Sequence, residues 1–223
     1  MNEQIKVLGL RIDNYAAKDA VKNVVSYLGT EPVNVVEMVT MNTIGKFQQD
    51  ETAGELFESI DIALAGDKGI LQAAGVKDER RLKEVEELLF IKMIMRVLHK
   101  NSTRVFLLAE NHADLQKLEM YMHEDYSNIQ VIGKATREDG ISDDKILNLV
   151  NGAEAECILS ALSSPTEEDF VCRNKSLLNA RVWLGMGNML DELKKEKTTF
   201  QKIKEFILRQ VLKNEIAKKG GNA

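Results

Sequence analysis

Short apolar runs alternate with stretches of helical period along most of the chain. Residues 5–10 read as a strand, after which Ala17, Ala20, Val21, Val24, Val25 and Leu28 recur at helical spacing. A second strand is expected at 33–38 and a short third at 62–64. Residues 79–100 read as one helix, with Leu82, Val85, Leu89 and Leu98 on its apolar side. Strands at 105–108, 129–132, 157–162 and 181–184 follow, with a helix near 112–123 and further helices between the later strands. Such alternation predicts a Rossmann-like α/β fold, a mostly parallel sheet with helices on both faces. Parallel sheets bind ligands beyond the carboxyl ends of their strands. The segments to inspect are therefore Thr40–Thr43, Ala65–Gly69, Ala109–Asn111, Gly133–Gly140, Ser163–Glu168 and Gly185–Asp191.

The 223 residues suffice for one good-sized core, and no low-complexity linker divides them. Cys157 and Cys172 are the only cysteines, which excludes a disulfide scaffold. The first residues do not read as a secretory signal, and no apolar run reaches the roughly 18–20 residues a membrane span needs. The expectation is a cytoplasmic protein with reduced thiols that at most touches the inner face of the plasma membrane.

Charge changes this picture at one end. The net charge is −5, but Lys194 to Lys219 hold nine basic and three acidic residues, +6, which leaves −11 for the rest. Phe200, Ile203, Phe206, Ile207 and Val211 fall mostly on one stripe of a helix with Lys and Arg around it. This pattern fits an interfacial helix against an anionic surface, or a C-terminal helix packed on its own domain with a solvated charged face. The organisation expected is an α/β domain over 1–193 and a basic amphipathic helical tail over 194–223. Trp183 and Phe206 make no stacking platform, and the acidic body argues against nucleic acid. A homo-oligomer is left open.

Each candidate for chemistry has a plainer reading beside it. Gly185-Met186-Gly187 follows a strand, so its backbone could approach a phosphate, or simply make a tight turn. Asp67, just after a short strand, could act as a general base toward an alcohol, or cap the next helix. Thr40, Asn42 and Thr43 could hydrogen-bond sugar hydroxyls or phosphate, or cap the helix that carries Phe47. His99, His112 and His123 lack metal-ligand spacing. Cys157 reads as core, and Cys172 has no obvious activating base. The acidic runs Glu84, Glu86, Glu87 and Glu167, Glu168, Asp169 read as solvated faces or first-turn acids.

The order of segments resembles the WecG/TagA/CpsF family of bacterial glycosyltransferases along nearly the whole chain. The opening I-K-V-L-G-L-R-I-D-N is similar to that family's start, and Thr40-Met41-Asn42 to its T-x-N after the second strand. D-I-A-L-A-G-D-K-G, residues 61–69, resembles its ADLV-x-PDG segment and places Asp67 on the family's acidic residue. R-V-F-L-L (104–108), N-I-Q-V-I-G (128–133), G-M-G-N-M-L-D (185–191) and K-E-F-I-L-R-Q (204–210) continue the likeness. The resemblance implies inverting, metal-independent transfer of N-acetylmannosamine or a related sugar, with no cofactor. The donor is a UDP-sugar and the acceptor a polyprenyl-diphosphate-linked sugar of teichoic acid, common antigen or capsule synthesis. It implies that Asp67 deprotonates the acceptor hydroxyl. Thr40, Asn42 and Thr43 would orient the sugar, and Gly185, Gly187 and Asp191 would shape the nucleotide side. Lys202, Arg209 and Lys213 would meet lipid diphosphate and membrane.

The chain departs from that pattern where charge is handled. The family's glycine-rich turn after R-V-F-L-L is Ala109-Glu110, and its G-x-G-A-P-K-Q-E is A-L-S-S-P-T-E-E, keeping Pro165 and Glu168. Its R-V-T-G-S-D segment is E-V-E-E-L-L, and the proline before Asp67 is Gly66. Apart from Gly66, these changes remove donors or cations that would offset charge on a UDP leaving group. The sequence therefore supports a divergent transferase, or a catalytically inactive relative that binds, regulates or scaffolds. A third reading is a site in which Glu110 and Glu167 favour a neutral or cationic group.

Overall fold

A computed structural model describes residues 4–47, 53–187, 189 and 193. The expected strand at 5–10 is instead a hairpin, β1 (Gln4–Val7) and β2 (Leu10–Asp13), paired antiparallel and separate from the main sheet. Leu8 and Gly9 both have positive φ, 49° and 90°, which is the geometry of a two-residue hairpin turn. Asp13 closes the unit, since its two carboxylate oxygens accept from Gln4 Nε2 and from Ala63 N, both at 3.0 Å. That second bond docks the hairpin on the main sheet.

The chain then runs α1 (Ala17–Tyr27), β3 (Asn34–Val39), α2 (Met41–Phe47), α3 (Ala53–Phe57), β4 (Ile62–Ala65), α4 (Lys68–Ala73), α5 (Glu79–Glu86), α6 (Leu89–Lys100) and β5 (Arg104–Ala109). It continues through α7 (His112–Asp125), β6 (Gln130–Thr136), α8 (Asp143–Gly152), β7 (Cys157–Ala161), α9 (Thr166–Asn174) and β8 (Val182–Gly185). Strands β3 to β8 form one parallel six-stranded sheet in the order β4-β3-β8-β7-β5-β6. The strands are apolar almost throughout because helices cover both faces. Right-handed crossovers put α2, α3, α8 and α9 on one face and α4 to α7 on the other. The packing agrees: α9 meets α3 and α8, while α5 meets α4 and α6 and α1 meets α6.

Two local features were not expected. The single helix over 79–100 is broken at Leu88, which has φ 52°, so α5 and α6 turn separately. Glu84, expected on a solvated face, is drawn inward instead. Its Oε2 accepts from Ala17 N at 3.0 Å, and Arg81 pairs with it while donating to Asn14 Oδ1 at 3.2 Å and to the Tyr15 carbonyl. The E-V-E-E segment thus holds α1 and the end of the hairpin. Between β5 and β6 the register shifts at Val105/Phe106, and Gly133 lies there. A Cβ on Gly133 would sit 2.6 Å from the Phe106 ring, so the ring packs where only glycine fits.

Among the described residues, no helix is long and apolar enough to cross a membrane. The predicted tail 194–223, and with it Lys202, Arg209 and Lys213, lies outside the described residues, as does Asp191.

Candidate active site

After β3 the chain leaves toward one face of the sheet, and after β4 toward the other. Neighbouring strands whose continuations part in this way leave a crevice at their carboxyl ends. Thr40 and Asp67 stand on its two sides. Gly66 brings the sides together: its N–H donates to Val39 O at 2.6 Å, and a Cβ there would come within 2.9 Å of that oxygen. A proline, which the family pattern carries, has no N–H to give.

Asp67 spans the crevice. Its Oδ1 accepts from Ile70 N at 3.2 Å, capping α4, and its Oδ2 accepts from Met41 N at 2.8 Å, at the start of α2. The capping role weighed for Asp67 is therefore real, and it fixes the carboxylate's position. Each oxygen retains capacity for another donor. Lys68 pairs with Glu86. Opposite, Thr40 and Thr43 cap α2 reciprocally: Thr43 N donates to Thr40 Oγ1 at 3.2 Å, Thr40 N to Thr43 Oγ1 at 3.3 Å, and the hydroxyls lie 3.1 Å apart. Asn42 is exposed, and no described residue hydrogen-bonds its side chain. Ser164, in the loop after β7, brings a third strand end to this group. Its Oγ is 3.5 Å from Thr43 Oγ1, and its carbonyl accepts from Lys46 Nζ at 2.7 Å.

Beneath this layer lie three buried carboxyls. Glu37 of β3 is 3% exposed, and Glu167 and Glu168 of α9 are 2% and 0% exposed. Both are first-turn acids of α9, as one of the two readings expected, but neither lies on the solvated face of the other reading. Asp169 alone faces outward, paired with Arg173. Helix α9 packs on β8 through Phe170, stacked on Trp183, and its first turn is buried with it. Trp183 Nε1 donates to Glu167 Oε1 at 2.7 Å, and Ser164 Oγ to Glu168 Oε1 at 2.7 Å. Gly185 makes the room, because a Cβ on it would lie 2.5 Å from Glu167 Oε1 and 3.2 Å from Glu37 Cγ. Burial, reinforced by the charge of Glu168, pushes Glu167 up to about 8 against the bonds from Trp183 and Ser160. Burial likewise raises Glu37 well above the usual carboxylate range, and the neighbouring Glu168 and Glu167 add to it.

Gly185 thus serves packing. Gly187, with φ 46° and open space beside it, makes the turn that the plainer reading expected. Sequence reasoning missed Glu37 altogether; the available signal was a lone acid in the apolar run V-V-E-M-V.

A second parting of the chain lies between β5 and β7. Glu110 Oε2 there accepts from Ser163 N at 3.3 Å and Ser163 Oγ at 3.2 Å, while Glu138 accepts from His112 N at 2.8 Å. The chain's own carboxylates take backbone donors that a phosphate would otherwise use. The three histidines are dispersed: His99 Nδ1 accepts from Asn128 N at 3.2 Å, His112 Nε2 lies 3.1 Å from Asp139, and His123 is exposed. Among the described residues no group of His, Cys, Asp and Glu is placed to hold a metal ion. Cys157 is core, its thiol pushed up to about 12 by burial and by Glu156, and Cys172 is exposed and free.

Apart from the crevice, a cavity of about 30 Å³ lies over Met38 and Leu64, bounded by α5 and α6.

The ends of β3 and β4 bring Thr40, Thr43 and Asp67 together, through the bond at Met41 N and the contact between the two hydroxyls. No curated protein matches the chain. The model of the Glycosyl transferase WecG/TagA/CpsF family does match, over residues 5–200, and the chain belongs to that family.

Proposed function

We propose that the protein is an inverting, metal-independent glycosyltransferase that moves an N-acetylhexosamine of the N-acetylmannosamine type from a UDP-sugar to a polyprenyl-diphosphate-linked sugar in cell-envelope polysaccharide or teichoic acid synthesis. The observation that carries this reading is Asp67, fixed by two backbone N–H groups across the β3/β4 crevice from the Thr40–Thr43 pair. In this role Asp67 takes the proton of the acceptor hydroxyl as that oxygen attacks the anomeric carbon and UDP departs. Thr40, Asn42 and Thr43 orient the sugar. Gly185, Gly187 and Asp191 shape the nucleotide side, with Gly185 acting through the packing beneath it.

The domain over 1–193 holds this site, and the tail over 194–223 brings it to the anionic inner face of the membrane, where Lys202, Arg209 and Lys213 meet lipid diphosphate. The full chain should sediment with anionic vesicles and be released by high salt, and loss of residues 198–223 should abolish this. Unchanged sedimentation of the truncated form would remove the tail from this role.

One observation favours a second reading, that of an inactive relative with a binding or scaffold role. Glu110 and Glu138 fill donors near the second parting of the sheet, so an incoming diphosphate meets carboxylates there. Glu167, by contrast, is buried and held toward its neutral form, so it does not add a charge against a nucleotide. Calorimetric titration with UDP and with UDP-N-acetyl sugars, with and without a divalent metal, separates the two readings. The transferase reading expects micromolar binding without metal. Absence of binding at millimolar ligand would reject it in favour of the scaffold.

A further inference from the structure

The carboxyl cluster under the crevice poses a counting problem. Glu37, Glu167 and Glu168 are packed together out of water, and among the described residues no cation bonds any of them. Three charges there would be prohibitive. The polar groups facing the cluster come from every surrounding element: Trp183 on β8, Ser160 on β7, Ser164 before α9, and Glu110 at some distance after β5. Arg137 is the nearby cation, but it lies over the Phe170 ring and pairs with Asp143. Two atoms break the pattern of satisfied groups: Arg137 Nε, although that guanidinium pairs with Asp143, and Glu168 Oε2, which is buried and has no donor. The Glu37 carboxyl lies within hydrogen-bonding reach of Glu168.

We infer that Glu37 is a neutral carboxylic acid whose O–H donates to Glu168 Oε2, and that this pair holds Ser164 beside the threonines of the crevice. Glu168 then carries the single negative charge and receives a donor on each oxygen, Glu37 on Oε2 and Ser164 on Oε1. Ser164 has one hydroxyl proton. It goes to the carboxylate at 2.7 Å, and this fixes the Ser164 hydroxyl 3.5 Å from Thr43 Oγ1. The Glu37–Glu168 pair therefore sets where the loop after β7 meets the Thr40–Thr43 cap. The use of that cap as a sugar contact rests on the reading of the crevice as a sugar site; the placement of the proton does not.

Infrared spectroscopy of the full chain with isotope-labelled glutamate tests the proton directly. At neutral pH, E167Q should still show the C=O stretch of one neutral glutamic acid, and the E37Q/E167Q double variant should show none. E37Q alone should keep the wild-type melting temperature, because its amide N–H also donates to Glu168, whereas E37L should lower it by stranding Glu168 Oε2. The inference is overturned if E167Q shows no acid signal, or if the signal persists in the double variant, which would put the proton on Glu168. It is also overturned if E37L melts as high as E37Q, since a space-filling role alone predicts that. Failure of sugar transfer with the acid signal intact would count against the transferase reading and leave the proton assignment standing.

Discussion

Asp67→Asn is expected to lower sugar transfer by about 10²–10⁴-fold, the range lost when a general base is removed. The substitution is informative because asparagine is nearly isosteric. Its amide oxygen can keep one of the two backbone bonds that Asp67 makes, to Ile70 N or to Met41 N. The other backbone N–H then faces an NH₂ group, at a cost of about 1 kcal/mol, the usual worth of a helix cap. The variant should therefore fold, with a modest drop in melting temperature, and still bind a UDP-sugar. A rate loss much larger than the stability loss separates the chemical role of Asp67 from its structural one. Unchanged turnover in a folded variant would show that Asp67 is only a cap.

Glu167 sets the second large effect, on stability against pH. Its folded-state value is about 8, whereas the unfolded chain has the ordinary 4.5. Between these two values the native state binds more proton than the unfolded state, so stability falls as pH rises. The contribution is whole below about pH 4.5 and is lost by about pH 8. Titration curves of thermal or denaturant unfolding should show the wild type losing a few kcal/mol relative to E167Q across this window. The glutamine is neutral throughout, keeps an oxygen for Trp183 Nε1, and is the residue that the family pattern carries at this position. Parallel curves for the two proteins would mean that Glu167 is not held neutral by the fold.

The sheet was legible because β-branched and aliphatic runs such as Val105–Leu108 and Cys157–Leu162 are too short for helices and too apolar for an exposed strand. The hairpin was not, because Leu8 is an apolar residue at a positive φ and carries no turn signal of its own. Leu88 hides the break between α5 and α6 in the same way. Asp67, Thr40 and Thr43 were legible as strand-end polar residues, and the caps that such residues can form are present. The buried carboxyls were not legible. Acids in the first turn of a helix are ordinarily solvated, and only the tertiary placement of α9, with Gly185 opening space beneath it, turns Glu167 and Glu168 inward. Glu37 was visible as an exception in an apolar strand, but its partner lies 131 positions away in the sequence.

The most direct test of the account is a single reaction: the full chain, a UDP-N-acetylhexosamine and a polyprenyl-diphosphate-linked sugar acceptor, in buffer with a metal chelator. A transferase of this kind releases UDP in step with formation of one glycosylated lipid, with inversion at the anomeric carbon. A folded protein that releases no UDP above the protein-free control, with or without added divalent metal, would contradict the transferase reading. Turnover that required the metal would contradict its mechanism.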